Sequence, residues 1–194
     1  MKSHIANKCR VAMFNIQRIK IIRPSLSTET CKTLVQGLVI SHLDYANATL
    51  AGLPSYLIGK VQKVQNVAAK LILNKKKFDS STECMKELHW LPIRARMEFK
   101  VLMLVYKCLH NKAPLYLRDL IKKRECRREG LRSGEDNLML EVPYTLKSTF
   151  TSRSFNVYGP VMWNSLPYNI RNRSSLQKFK IDLKTHLFKR EYFA

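Results

Sequence analysis

The sequence predicts a mainly α-helical protein, an irregular multi-helix bundle around a central helix at about 92–111, with room for one short strand or hairpin near 138–142. Three observations lead there. Apolar residues recur at three- and four-residue spacing through most of the chain, the spacing that lines one side of a helix. Only 6 Gly and 7 Pro interrupt 194 residues that are 45% hydrophobic, a composition able to bury a core. The stretch LHWLPIRARMEFKVLMLVYKCLHNK (88–112) is apolar on two faces, Met97, Val101, Leu104, Val105 and Cys108 on one, and Phe99, Leu102, Met103, Tyr106 and Leu109 on the other. A helix of that kind needs neighbours on both sides.

Taken in order, residues 4–22 form an amphipathic helix with Ile5, Cys9, Ala12, Met13, Ile16 and Ile19 inward and Lys8, Asn15 and Arg18 largely off that stripe; Arg23-Pro24-Ser25 ends it. A second helix starts from a Ser27 or Thr28 cap and runs to about His42. Asn47, Gly52 and Pro54 mark 43–54 as a loop or short broken helix. The third helix, 55–74, turns Leu57, Val61, Val64, Ala68 and Leu71 to one side and Lys60, Lys63 and Lys70 away from it, and Lys75, Lys76 and Lys77 follow at its C-terminal end, where cations suit the helix dipole. A short helix at 79–88 has Asp79, Ser80 or Ser81 as its cap. Pro92 suits the first position of the central helix, and Pro114 stops it; one more short helix covers 115–123.

Residues 122–137, KKRECRREGLRSGEDN, read as a charged linker. The following LMLEVP fits a short strand whose Pro143 marks an edge or an end. A helix at 153–165 is interrupted or bent at Gly159-Pro160, and Pro167 closes it. The last helix, 174–190, starts from Ser174 or Ser175 and presents Leu176, Phe179, Leu183 and Leu187, with Lys178, Lys180, Lys184, Lys189 and Arg190 around the remainder. The organisation expected is a helical domain over 1–123, a linker over 124–147 and a C-terminal helical segment over 148–194.

Thirty-five Lys and Arg against 14 Asp and Glu leave a formal charge of +21, far beyond what solubility requires, and predict attraction to polyanions, nucleic acid first and a membrane surface second. The excess is threaded through the helices rather than gathered in a tail, which points to a folded basic surface. The opening MKSHIANKCR has no apolar core of a signal peptide, and no apolar run reaches the length of a membrane span. Five Cys without a CxxC pair read as buried free thiols in a reducing compartment. An intracellular protein, nuclear or cytoplasmic, neither secreted nor transmembrane, is the expectation.

The residues offer no catalytic constellation. His4, His42, His89, His110 and His186 are scattered, so no metal site is expected; His89 beside Trp90 reads as a packed histidine. No phosphate-cradling glycine loop occurs, and no small-molecule substrate or cofactor is indicated. The acids are too few for two-metal chemistry, and Glu135-Asp136 stands in a polar loop. What remains is basic and aromatic surface. Lys60, Lys63, Lys70, Lys75, Lys76, Lys77, Arg94, Arg96, Lys180 and Lys184 are the candidate phosphate contacts. Tyr45, Tyr56, Trp90, Trp163 and Tyr168 are either core residues or stacking platforms for bases.

Four stretches in register, LDYANATLAGLP (43–54), VQKVQNVAAKLI (61–72), LHWLPIRARMEFK with LHNKAPLYL (88–117) and RSFNVYGPVMWNSLPYNIR…SLQKFKIDLKTHLF (153–188), resemble the region C-terminal to the polymerase core in jockey-like, LINE-type non-LTR retrotransposon reverse transcriptases. The resemblance covers almost the whole chain and implies that residues 1–123 are thumb-like, packing against a primer–template duplex. It also implies a partner, the polymerase core encoded upstream. The family's polymerase and endonuclease motifs have no counterpart here, so no catalytic role is carried onto any residue. The function implied is that of a non-catalytic fragment of an RNA-directed DNA polymerase that binds template–primer or element RNA, RNA–DNA hybrid included. The alternative is a helical protein-interaction module, or a decayed transposon-derived protein without biochemical activity.

Overall fold

Lys2–Ile22 forms the first helix, α1, and buries Ile5, Lys8, Ala12, Ile16 and Ile19 along one stripe. The computed structural model describes residues 1–124, 138–144 and 151–193, and α1 is the first of a series of helices with no β-strand among the described residues. Lys8 corrects the sequence reading, because it lies inside the stripe at 4% exposure. Its ammonium donates to the carbonyls of Leu43 and Tyr45, so a cation satisfies orphaned carbonyls at a helix end and its charge suits the negative end of that helix dipole.

The expected second helix is realised as three consecutive pieces: α2 (Thr28–Val35), a π-helical turn (Gln36–Ile40) and α3 (Ser41–Asp44). Ser27 is the cap, its Oγ accepting the Thr30 N–H at 3.1 Å. The π turn rephases the helix, so that Cys31, Val35, Val39, Ile40 and Leu43 all stay buried. A short 3-10 turn at Asn47–Leu50 then leads to α4 (Ser55–Ile72). α5 (Ser81–Glu87) is capped by Ser80, which accepts the Glu83 N–H at 3.3 Å.

The central helix is α6 (Ile93–Leu109). Both expected faces are occupied: Met97, Val101, Val105 and Cys108 are buried on one, Leu102 and Tyr106 on the other. Leu104 is only half-buried. Its first turn is tied to α4, because Gln62 Oε1 accepts the Ile93 N–H at 2.8 Å and the buried Gln65 amide donates to the Leu91 carbonyl at 3.0 Å.

Three helices end in the same way. After α4, Asn74 is left-handed (φ 52°), after α5 His89 (φ 51°) and after α6 Asn111 (φ 57°). In each case the residue after it donates five positions back: Lys75 to Lys70 at 2.9 Å, Trp90 to Met85 at 2.9 Å and Lys112 to Lys107 at 2.8 Å. This closure satisfies carbonyls that a helix end otherwise leaves bare, and asparagine tolerates the conformation nearly as well as glycine. His89 is thus not the packed histidine expected: it stands exposed at a helix end.

Two compact units divide the chain, Met1–Arg96 with Arg190–Ala194, and Met97–Lys189. In the second, α6 from Met97 onward is followed by α7 (Leu115–Arg118), α8 (Phe155–Asn164), α9 (Tyr168–Arg171) and most of α10 (Leu176–Tyr192). Tyr106, Trp163 and Phe179 form its aromatic centre, with Tyr106 stacked on Phe179 at 4.3 Å between ring centroids. The Tyr106 hydroxyl lies 2.9 and 2.8 Å from the carbonyls of Arg173 and Ser174, and burial pushes its pKa up. Helix α8 runs through Gly159-Pro160 without interruption, and Gly159 is there because α6 is close: a Cβ would meet Val105 Cγ2 at 3.0 Å.

The short strand expected near 138–142 is instead an isolated antiparallel bridge between Lys123 and Leu140. The other edge of Leu140 is taken by the Asn164 amide, which accepts from its N–H and donates to its carbonyl, both at 2.9 Å. Pro143 has no N–H with which to extend a ladder. The expected linker is outside the described residues from 125 to 137, as is Glu135-Asp136. The helix expected over 115–123 is shorter, ending at Arg118.

Candidate nucleic-acid interface

Helix α4 is amphipathic because Leu57, Ile58, Val61, Val64, Ala68, Ala69 and Ile72 face inward, which leaves the opposite side to Tyr56, Lys60, Lys63, Val67 and Lys70. These five recur at alternating steps of four and three residues, the spacing that keeps them in one row along a helix. Tyr56 is 55% exposed and Val67 41%; Lys60 and Lys63 are exposed and Lys70 half-buried. The helix contains no acidic residue, so nothing within it neutralises the row.

Lys75, Lys76 and Lys77 follow in a turn held by hydrogen bonds. Lys70 Nζ donates to the Lys77 carbonyl at 2.8 Å, the Lys76 N–H donates to the Asp79 carboxylate at 2.6 Å, and the Asp79 N–H returns to the Lys76 carbonyl at 3.2 Å. All three lysines are exposed. Two thiols register the positive field along this side: burial pushes up the pKa of Cys9 while Lys60 and Lys8 pull it down, and burial pushes up that of Cys84 while Lys75 and Lys70 oppose.

The two arginines of the candidate set do different things. Arg94 is exposed and its guanidinium donates to Ser55 Oγ at 3.0 Å. Arg96 is committed inside the protein: Nε donates to Asp44 Oδ1 at 2.9 Å and Nη2 to the other carboxylate oxygen. That fork-to-fork pair joins α6 to the end of α3, and Asn47 adds a third donor at 3.0 Å. Lys180 and Lys184 lie in the second unit, one turn apart on α10 and both exposed. Lys60, Lys63 and Lys70 thus share one side of α4, and Lys75, Lys76 and Lys77 lie in the turn that follows it; Arg94 and Arg96 belong to α6 and the other two lysines to α10.

Of the aromatic residues singled out in the sequence, Trp90 and Trp163 are core residues; the Trp163 indole is fully buried and donates to the Leu138 carbonyl at 2.8 Å. Tyr45, Tyr56 and Tyr168 are exposed. Sequence reasoning passed over Phe78, which is 92% exposed at the end of the lysine turn with Lys77 Nζ 5.6 Å from its ring centroid. The signal was present in the string KKKF directly after an amphipathic helix.

Among the described residues no group of three His, Cys, Asp or Glu side chains converges on a point where a metal ion would sit, and no helix is long and apolar enough to cross a membrane. Comparison with protein-family models, with curated proteins and with solved structures finds no match to this chain.

Proposed function

We propose that this chain is a non-catalytic, thumb-like fragment of a retrotransposon reverse transcriptase that binds template–primer or element RNA through phosphate contacts. The observation that carries the reading is the set of lysines on α4 and the turn after it, three cations on a helix with no acid of its own and three more exposed in the turn that follows. Such a set matches the repeated negative charge of a nucleic-acid backbone and carries no sequence information, so binding is salt-sensitive and sequence-tolerant. The resemblance to the region downstream of a polymerase core supplies the polymerase context.

Fluorescence anisotropy of a labelled RNA–DNA hybrid, titrated with the chain at several salt concentrations, tests it. Each phosphate neutralised contributes a slope of about −0.9 on B-DNA in log affinity against log salt. Five or six contacts predict a slope of about −4.5 to −5.5, and Lys60→Ala with Lys63→Ala should flatten it by about 2. No binding at low salt would refute the proposal.

A second reading, a helical protein-interaction module such as one that docks a polymerase core, is favoured by one observation. The outward side of α1 exposes Val11, Phe14, Ile21 and Ile22, Phe14 at 60%. An uncovered apolar face of that kind predicts self-association in isolation, which sedimentation velocity would detect.

A further inference from the structure

We propose that Phe78 is a stacking platform for an unpaired base, so that the lysines beside it hold a single-stranded nucleic acid by stacking as well as by the phosphate contacts open to a duplex. The inference rests on the phosphate-binding reading above and specifies the form of its ligand. Phenylalanine has no polar tip to reward exposure, yet this ring is 92% exposed. It also stands on a turn held by four bonds: the Lys75 N–H to the Lys70 carbonyl (2.9 Å), Lys70 Nζ to the Lys77 carbonyl (2.8 Å), the Lys76 N–H to the Asp79 carboxylate (2.6 Å) and the Asp79 N–H to the Lys76 carbonyl (3.2 Å). A ring displayed on a pre-ordered turn loses little conformational freedom when it binds.

The chemistry around the ring selects the ligand. Lys75, Lys76 and Lys77 are exposed beside it and can hold the phosphates on either side of a nucleotide whose base lies on Phe78. Aromatic rings set among cations that track a backbone are how proteins hold single strands without reading sequence, because every base has a π-face. In a continuous duplex each base is already stacked and paired, and its face is closed to the ring. Tyr56, 55% exposed in the first turn of α4, lies about 24 Å from Ile72 along that helix at about 1.5 Å per residue. The helix thus has the length of a strand of several nucleotides, with Tyr56 in its first turn and Phe78 in the turn after it.

Anisotropy at one low salt concentration, with labelled oligouridylate and a blunt RNA–DNA hybrid of the same length, tests this with wild type, Phe78→Ala and Phe78→Tyr. Phe78→Ala should weaken single-strand binding by about 5- to 150-fold and leave hybrid binding unchanged, while Phe78→Tyr binds both as wild type does. A 2-aminopurine placed in the strand should be quenched by wild type and not by Phe78→Ala. Equal effects of Phe78→Ala on both ligands, or none on either, would overturn the stacking role while leaving phosphate binding standing. Failure of wild type to bind either ligand would overturn the underlying reading as well.

Discussion

Arg96 separates a structural cation from a ligand-binding one, and the two roles predict opposite results. Its side chain is 21% exposed and that of Asp44 17%, so both charges are largely withdrawn from water. Replacing Arg96 by Met removes two charge-assisted bonds and leaves a partly buried carboxylate facing apolar atoms. Losing one partner of a fully buried pair costs about 3–5 kcal/mol, and a net hydrogen bond to a charged group contributes about 1.5–3 kcal/mol. With about a fifth of each side chain still solvated, Arg96→Met should cost roughly 2–3 kcal/mol, lowering Tm by roughly 4–12 °C for a chain of this size. Asp44→Asn combined with Arg96→Met should cost less than the two single changes added, with a coupling of about 1–2 kcal/mol. Thermal melts followed by circular dichroism measure all of this. If Arg96→Met melted with wild type but flattened the salt dependence of hybrid binding by about 0.9, the internal role would be wrong and Arg96 would be a phosphate contact.

Two further expectations follow from local geometry and titration. Gly37, in the π-helical turn, has nothing within 4 Å of an added Cβ, so Gly37→Ala should stabilise by about 0.4–1 kcal/mol through the unfolded chain; Gly159→Ala drives a methyl against the fully buried Val105 and should destabilise by about 1–3 kcal/mol, and urea midpoints moving in the same direction would refute the pair. Burial, with Glu191 adding to it, pushes the Tyr192 pKa up to about 12 from its ordinary value of 10, so the neutral form is favoured in the folded chain. The stability this brings is fully present below about pH 10 and is lost as pH rises towards about 12. Wild type should therefore lose stability across that window relative to Tyr192→Phe, whose curve lacks this titration; parallel curves would contradict the shift.

The helices were legible because their signal is local. The inward stripes of α1, α4 and α10 and the two-faced α6 follow from apolar spacing alone, and Ser80 was one of three caps the sequence offered. What escaped was non-local or conformational. Lys8 looks like a solvent-facing lysine until α3 places two carbonyls above it. Arg23 looks like a helix stop until α4 ends beside it and its guanidinium caps that end, donating to the carbonyls of Leu71 and Ile72 at 2.9 and 2.8 Å. Asp44 and Arg96 stand fifty-two positions apart, a separation no periodicity spans. The apolar run at 138–142 reads as a strand, but its edge is taken by the Asn164 amide. Within the candidate site, the lysine row was visible as spacing, whereas the ties that fix its terminal turn, and hence the display of Phe78, depend on a lysine side chain reaching forward seven residues.

The unit that contains α1 to α5 takes its first 96 residues from one end of the chain and its last five from the other. The Tyr192 hydroxyl donates to the Trp90 carbonyl at 2.8 Å, and Lys86 lies 5.5 Å from the Phe193 ring. Chains emerge from the ribosome N-terminus first, so the Met1–Arg96 part of this unit is made before the residues that supply these contacts. A nascent chain that has reached only the second unit therefore holds a first unit without the Tyr192 hydrogen bond to Trp90.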